Sequence, residues 1–219
     1  MPKGFNHPLI AIEGIDGSGK ATQSKLLVEE IEKQKRPAVR FEFPNYTNVT
    51  GPYIDGHLKQ RWFGAVVCQP AQKKSEGVEE TRNLNELLFQ CLQTLNRYEQ
   101  TETILEALKT KAVVLDRFYA SSMVYGLVNG LSDSFLRAIS SQLPKPDLYI
   151  LVDIPVEESF NRRPERRDRY EKQKGMLEEV RVTYRELFTR EGWKIVDGVG
   201  TVAEVHSRIA DCVPTSFIW

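Results

Sequence analysis

Gly14-Ile15-Asp16-Gly17-Ser18-Gly19-Lys20 is a stretch whose residue types and spacing can do chemistry. It fits the GxxxxGK core of a phosphate-binding loop. Glycines let the backbone curl so that successive N–H groups converge on phosphate oxygens, and the lysine adds a point charge for the β- and γ-phosphates. Residues Gly14, Ile15, Asp16, Gly17, Ser18, Gly19, Lys20, Ala21 and Thr22 are therefore the expected ATP-binding set. One position departs from the pattern. The Ser or Thr hydroxyl that follows the lysine and ligates Mg²⁺ is missing, because that residue is Ala21. A water or a carboxylate has to supply the oxygen instead.

Two further clusters carry charge suited to the same chemistry. Asp116-Arg117 closes an apolar run. A carboxylate there suits Mg²⁺ organisation, and the adjacent guanidinium can grip a phosphate bidentately. The competing reading is a buried Asp–Arg ion pair. Arg162-Arg163-Pro164-Glu165-Arg166-Arg167-Asp168-Arg169 holds five arginines in eight residues. A segment of this kind can bring positive charge to a transferring phosphoryl group and expel water. Arg163, Arg166 and Arg167 are the candidates, unranked. A solvated charge run or a nuclear localisation patch would have the same composition.

These clusters need elements to position them. Residues 8–13 form a short apolar run that reads as a buried strand, and 20–35 has helical spacing at Leu26, Leu27 and Ile31. Strands are further predicted at 38–43, 112–115, 147–154 and 193–196, and helices at 51–62, 84–109, 172–190 and 202–212, with one more starting at Pro155. Residues 64–83 are polar and aperiodic and read as a surface loop or insertion. Five strands alternating with helices predict a five-stranded parallel sheet with helices on both faces, in one domain spanning 1–219. Ligands of such sheets bind beyond the carboxyl ends of the strands, which is where the three clusters fall.

Composition narrows the function. Lys plus Arg is 30 and Asp plus Glu is 30, so a polyanion binder working by bulk charge is not expected, and no nucleic-acid partner is assigned. No run approaches the length of a membrane span, and the first residues lack the apolar stretch of a secretory signal. Cys68, Cys91 and Cys212 are far apart and odd in number, which suits a reducing compartment rather than a disulfide framework or structural zinc.

The string from Leu9 to Gln23 resembles the start of thymidylate kinases. So do Phe43-Pro44-Asn45-Tyr46, the run from Asp116 to Tyr125, and Asp168-Arg169-Tyr170-Glu171, in order and after the expected strands. The resemblance implies a P-loop nucleoside monophosphate kinase fold with a short arginine-rich lid at about 161–171. It implies transfer of the γ-phosphoryl of ATP to dTMP with Mg²⁺, on the route to dTTP, by a cytoplasmic homodimer. It also implies roles for single residues. Asp16 faces the 3′-hydroxyl of the acceptor, and Arg117 holds its phosphate. Phe43 and Tyr46 lie near the acceptor, and Arg97 reads the pyrimidine edge. Ser121 and Ser122 stand at the base edge, and Tyr125 packs against C2′ and excludes a ribose hydroxyl. Tyr170 stacks over sugar or base, and Glu171 joins Asp116 at the metal. On pattern alone, Phe43 would be core and Arg97 a solvated helix charge.

The resemblance breaks at one place that matters. Four residues before Arg97 the family carries an aromatic ring that stacks on thymine; here it is Gln93. Losing a stacking platform costs roughly 1–3 kcal/mol by analogy with base–aromatic stacking. Either Phe89 reaches in, or base specificity is relaxed, or affinity is weaker. With Ala21, this leaves two other readings open: a kinase for another deoxynucleotide or deoxynucleoside, and a nucleotide-binding protein without turnover.

Overall fold

Period-two alternation builds the sheet. In Leu9–Glu13 (β1), Leu9 and Ala11 join one buried apolar cluster while Ile10 and Ile12 join another. Ala112–Asp116 (β3) and Leu148–Asp153 (β4) divide in the same way: Val113, Leu115, Tyr149 and Leu151 on one side, Val114, Ile150 and Val152 on the other. Strands buried on both faces must be covered on both faces. The computed structural model, which describes residues 7–59, 78–163 and 174–218, meets that demand.

The five strands, completed by Ala38–Glu42 (β2) and Lys194–Asp197 (β5), are all parallel in the order β2-β3-β1-β4-β5. Lys20–Lys33 (α1) covers one face with Val202–Cys212 (α8), burying Leu27, Ile31, Val205 and Ile209 against the sheet. The other face carries the larger cluster. Its helices are Val78–Ala107 (α3), Tyr119–Val128 (α4), Asp133–Ser140 (α5) and Lys174–Glu191 (α7). Gly51–Leu58 (α2), Val156–Arg162 (α6) and the short Thr215–Ile218 (α9) complete the described elements.

Two expectations change. Residues 78–83 belong to α3 and not to a loop. Polarity without periodicity does not exclude a helix, and Glu and Arg are good helix formers. The remainder of the expected insertion, and the lid from Pro164 onward, lie outside the described residues. Helices α4 and α5, between β3 and β4, were not predicted as elements, because α4 is rich in small and apolar residues on every side.

Each of the five strands ends on an acid: Glu13, Glu42, Asp116, Asp153 and Asp197. In register, Ile12 pairs with Asp116, Glu42 with Asp116, and Asp153 with Asp197. The sheet therefore presents a row of carboxylates at one edge, and cations and N–H groups from the following elements must answer them.

Candidate functional site

The turn between β1 and α1 takes its shape from glycine. Gly17 has φ 77° and Gly19 has φ 96°, left-handed values that a Cβ disfavours. A Cβ on Gly17 would also lie 3.0 Å from the Ser159 carbonyl oxygen. The Ser159 hydroxyl donates to the Asp16 carbonyl, which ties the loop to α6. Lys20 folds back over the turn, its ammonium donating to the Ile15 carbonyl at 2.8 Å. Burial, and then the nearby Arg117 charge, lowers its pKa to about 8.

Two clefts adjoin at the strand tips. Lys20, Ala21, Asp116 and Arg163 line the first, beside the glycines of the loop. Phe89, Gln90, Gln93, Arg97, Ser122 and Tyr125 are among the residues lining the second. Asp16, Pro44, Tyr46 and Arg117 line both. At that junction the Arg117 guanidinium donates to Asp16 Oδ1 at 2.5 Å and to the Gly14 carbonyl at 3.1 Å. Burial alone would raise Asp16, but the Arg117 and Lys20 charges hold it down at about 2. Arg117 is one of two non-glycine residues with positive φ among those described, at 65°. Such strain persists only where surrounding contacts over-determine it, and here they come from β1: its N–H bonds the Ile12 carbonyl at 2.9 Å.

The acids at the strand tips are answered individually. Asp116 Oδ2 accepts from Arg40 at 2.6 Å, so an Asp–Arg pair exists, but its arginine comes from β2 and not from the next residue. Asp153 accepts from Arg181 at 2.8 Å and from Arg185 at 2.6 Å, both on α7. Glu13 is fully buried, and among the described residues no cation is within ion-pair distance of it. It accepts from the Phe118 N–H at 2.7 Å, the Ser121 hydroxyl at 2.6 Å and the Tyr184 hydroxyl at 3.1 Å. Burial raises its pKa despite those bonds.

Arg97 is where pattern reading fails most clearly: it is 1% exposed, not solvated. It donates to the Phe118 carbonyl at 2.9 Å and to the Gln93 carbonyl, and lies 5.6 Å over the Phe43 ring. Burial lowers its pKa to about 10. Phe43 is at once core and part of the first cleft's wall. Tyr46 is half exposed. Ser121 lines the second cleft but spends its hydroxyl on Glu13, whereas the Ser122 hydroxyl is buried without a partner among the described residues. Phe89 is in the second cleft's wall, stacked on His57 with ring centroids 4.0 Å apart. Thr22 is exposed outside both clefts. Arg166, Arg167, Tyr170 and Glu171 lie outside the described residues. Sequence reasoning missed Glu13, Arg40, Asp153, Arg181 and Arg185. The acid that closes every strand was the available signal.

A phosphate loop opening the first helix of an all-parallel sheet, with a second cleft joined to it at an Asp–Arg pair, defines a P-loop nucleoside monophosphate kinase. The thymidylate kinase family model matches residues 12–64 and 68–209. A thymidylate kinase of Schizosaccharomyces pombe is 31% identical over 97% of this chain and 94% of its own length. A probable thymidylate kinase of Pyrococcus abyssi is 34% identical over 93% and 94%. The solved thymidylate kinase of Candida albicans has the same fold, with a TM-score of 0.71 at 22% identity over 94% of this chain and 90% of that one. The chain belongs to the thymidylate kinase family, ATP-dependent kinases that phosphorylate dTMP.

Proposed function

We propose that ATP occupies the loop-side cleft and dTMP the second, and that a dTMP phosphate oxygen attacks the γ-phosphorus in line to give dTDP and ADP. One observation carries this reading: Asp16 and Arg117, bonded to each other, line both clefts. Two nucleotides so held would meet at one guanidinium. That phosphate oxygen is already anionic at pH 7, so no strong general base is required. Positioning and charge neutralisation carry the catalysis.

The roles follow from that arrangement. The loop N–H groups of Gly14 to Ala21 and the Lys20 ammonium hold the ATP phosphates. Arg117 holds the acceptor phosphate; an arriving phosphate exchanges with Asp16, whose carboxylate then accepts the 3′-hydroxyl. Arg163, at the end of α6, brings its charge to the transferring group, and Arg166 and Arg167 remain candidates for the same task. Arg97 and Ser122 face the base. Tyr125 closes the sugar side and Tyr170 stacks.

The donor set fits Mg²⁺. Asp116 offers a hard oxygen in the same cleft as Lys20 and Ala21, and Mg²⁺ typically takes one or two carboxylates together with water and phosphate oxygens. Asp116, with Glu171 as a second carboxylate, would hold it, and the ion would neutralise charge on the phosphates.

The assembly we infer is a homodimer, with each chain a single kinase domain. Leu84, Leu88 and Leu95 are 52%, 38% and 49% exposed and lie with Cys91 along one face of α3. A second copy of that face would cover them. Cys91 and Cys212 are free thiols, in keeping with the cytoplasm. Among the described residues no helix is long and apolar enough to cross a membrane. A coupled ADP-release assay with dTMP, dUMP, dGMP and thymidine tests the whole reading. Turnover with dTMP is expected. A preference for dGMP or thymidine would overturn the acceptor, and turnover with none would overturn the reaction.

A further inference from the structure

Helix α3 turns a polar stripe inward. Glu86, Gln90, Gln93 and Arg97, spaced four, three and four residues apart, share one helical face and are 4%, 1%, 9% and 1% exposed. Gln90, Gln93 and Arg97 line the second cleft, and Ser122 of α4 lines it beside them. Gln90 Nε2 donates to Glu86 Oε1 at 2.7 Å. Accepting from Nε2, Glu86 Oε1 orients the Gln90 amide by its nitrogen. The amide oxygen is left over.

Three buried atoms around this cleft have no partner among the described residues: Gln90 Oε1, Arg97 Nε and Ser122 Oγ. A buried polar group left without a partner keeps its full desolvation penalty. Three on the lining of one cleft point to a ligand that supplies their partners. The amide oxygen can only accept, the guanidinium nitrogen can only donate, and the hydroxyl can do either.

We propose that Gln90, its amide locked by Glu86, is a specificity-determining residue that accepts the ring N–H of the acceptor base, while Arg97 serves the neighbouring carbonyl. The class of base selected carries a carbonyl beside a ring N–H, as thymine and uracil do. Cytosine presents an amino group and a bare ring nitrogen on the same edge. Its lone pair would face the amide oxygen, and neither would be satisfied. Selection by hydrogen-bond pattern accounts for a base wall that has an amide at Gln93 where a stacking ring would stand. This inference rests on the reading that dTMP occupies the second cleft.

The test compares kcat/KM of the full chain for dTMP and 5-methyl-dCMP, which share every atom except those on this edge. Gln90→Met keeps the side-chain length and removes the amide. Glu86→Gln keeps the volume and lets the Gln90 amide turn over. The wild type is expected to prefer dTMP by about a hundredfold or more, as sites built on buried hydrogen bonds do. Gln90→Met is expected to lower kcat/KM for dTMP by about tenfold to a hundredfold. Both variants should shrink the ratio between the two substrates by about tenfold, as loss of one buried hydrogen bond implies. The ratio is taken on one preparation, so loss of folded protein cancels. An undiminished ratio in Gln90→Met overturns the proposal. So does a wild type that uses both substrates equally, a result that needs no variant. A wild type with no turnover of dTMP overturns the acceptor reading beneath it, which is a separate and recognisable outcome.

Discussion

Lys20 illustrates how burial and neighbouring charge set a single group's behaviour. Only 6% exposed and beside Arg117, its ammonium has a pKa of about 8. ATP binds the charged form, so affinity for ATP should fall as pH rises through about 8, measured by calorimetry from pH 7 to 9.5. A flat profile would remove Lys20 from phosphate binding. The same group affects stability with a definite sign. Between about 8 and 10.5 the unfolded chain holds a proton that the folded chain has lost, so this group adds stability as pH rises through that window. Lys20→Ala should lower kcat by about 10²-fold or more, the scale seen when a preorganised charge is removed from a transition state, while circular dichroism remains unchanged. Near-normal turnover would end its assigned role. Tyr125→Ala should admit ribonucleotide acceptors, and unchanged sugar discrimination would count against steric exclusion at C2′.

At the scale of the element, α3 is amphipathic the wrong way round for a lone helix over residues 84–97. Gln90, Gln93 and Arg97 face the second cleft, and Leu84, Leu88 and Leu95 face outward. In the proposed function the inner stripe meets the acceptor base and the outer one meets the second copy. Leu88→Asp with Leu95→Asp should convert a dimer to a monomer in light scattering, because two charges at a buried apolar seam leave both desolvated and unpaired. A dimer that survives both substitutions uses another face. Helix α7 has a different duty. Through Arg181 and Arg185 it is pinned to Asp153 at the tip of β4, and through Tyr184 to Glu13 at the tip of β1.

Across the whole molecule, Glu13 is the joint. It collects Phe118 and Ser121 from the start of α4 and Tyr184 from α7, while Arg97 of α3 reaches the Phe118 carbonyl from the other side. Strand, helices and both clefts are thereby held in one frame. Glu13→Ala would remove the acceptor that the Phe118 N–H and the Ser121 and Tyr184 hydroxyls share, leaving the hydroxyls only each other. The expected loss is about 3 kcal/mol, or a Tm lower by about 6–12 °C for a chain of this length. A Tm within 2 °C of wild type would mean that the frame does not depend on it. Ligands acting on the same frame should stabilise it: ATP at a hundred times its Kd adds about 2.7 kcal/mol by mass action.

Much of this was legible in the chain itself. Continuous apolar runs at residues 9–12, 112–115 and 148–152 specify strands buried on both faces, because successive side chains point to opposite faces and both sets must be hidden. Gly17, Gly19 and Lys20 specify the phosphate loop, since only glycine adopts those φ values without strain. Local pattern goes no further than its own element. Whether Arg97 meets water or the Phe118 carbonyl, whether Asp116 pairs with Arg117 or with Arg40, and which oxygen Gln90 leaves open depend on what other strands and helices bring alongside. Pairings between residues far apart in the chain are set by packing, and packing exists only in the tertiary structure.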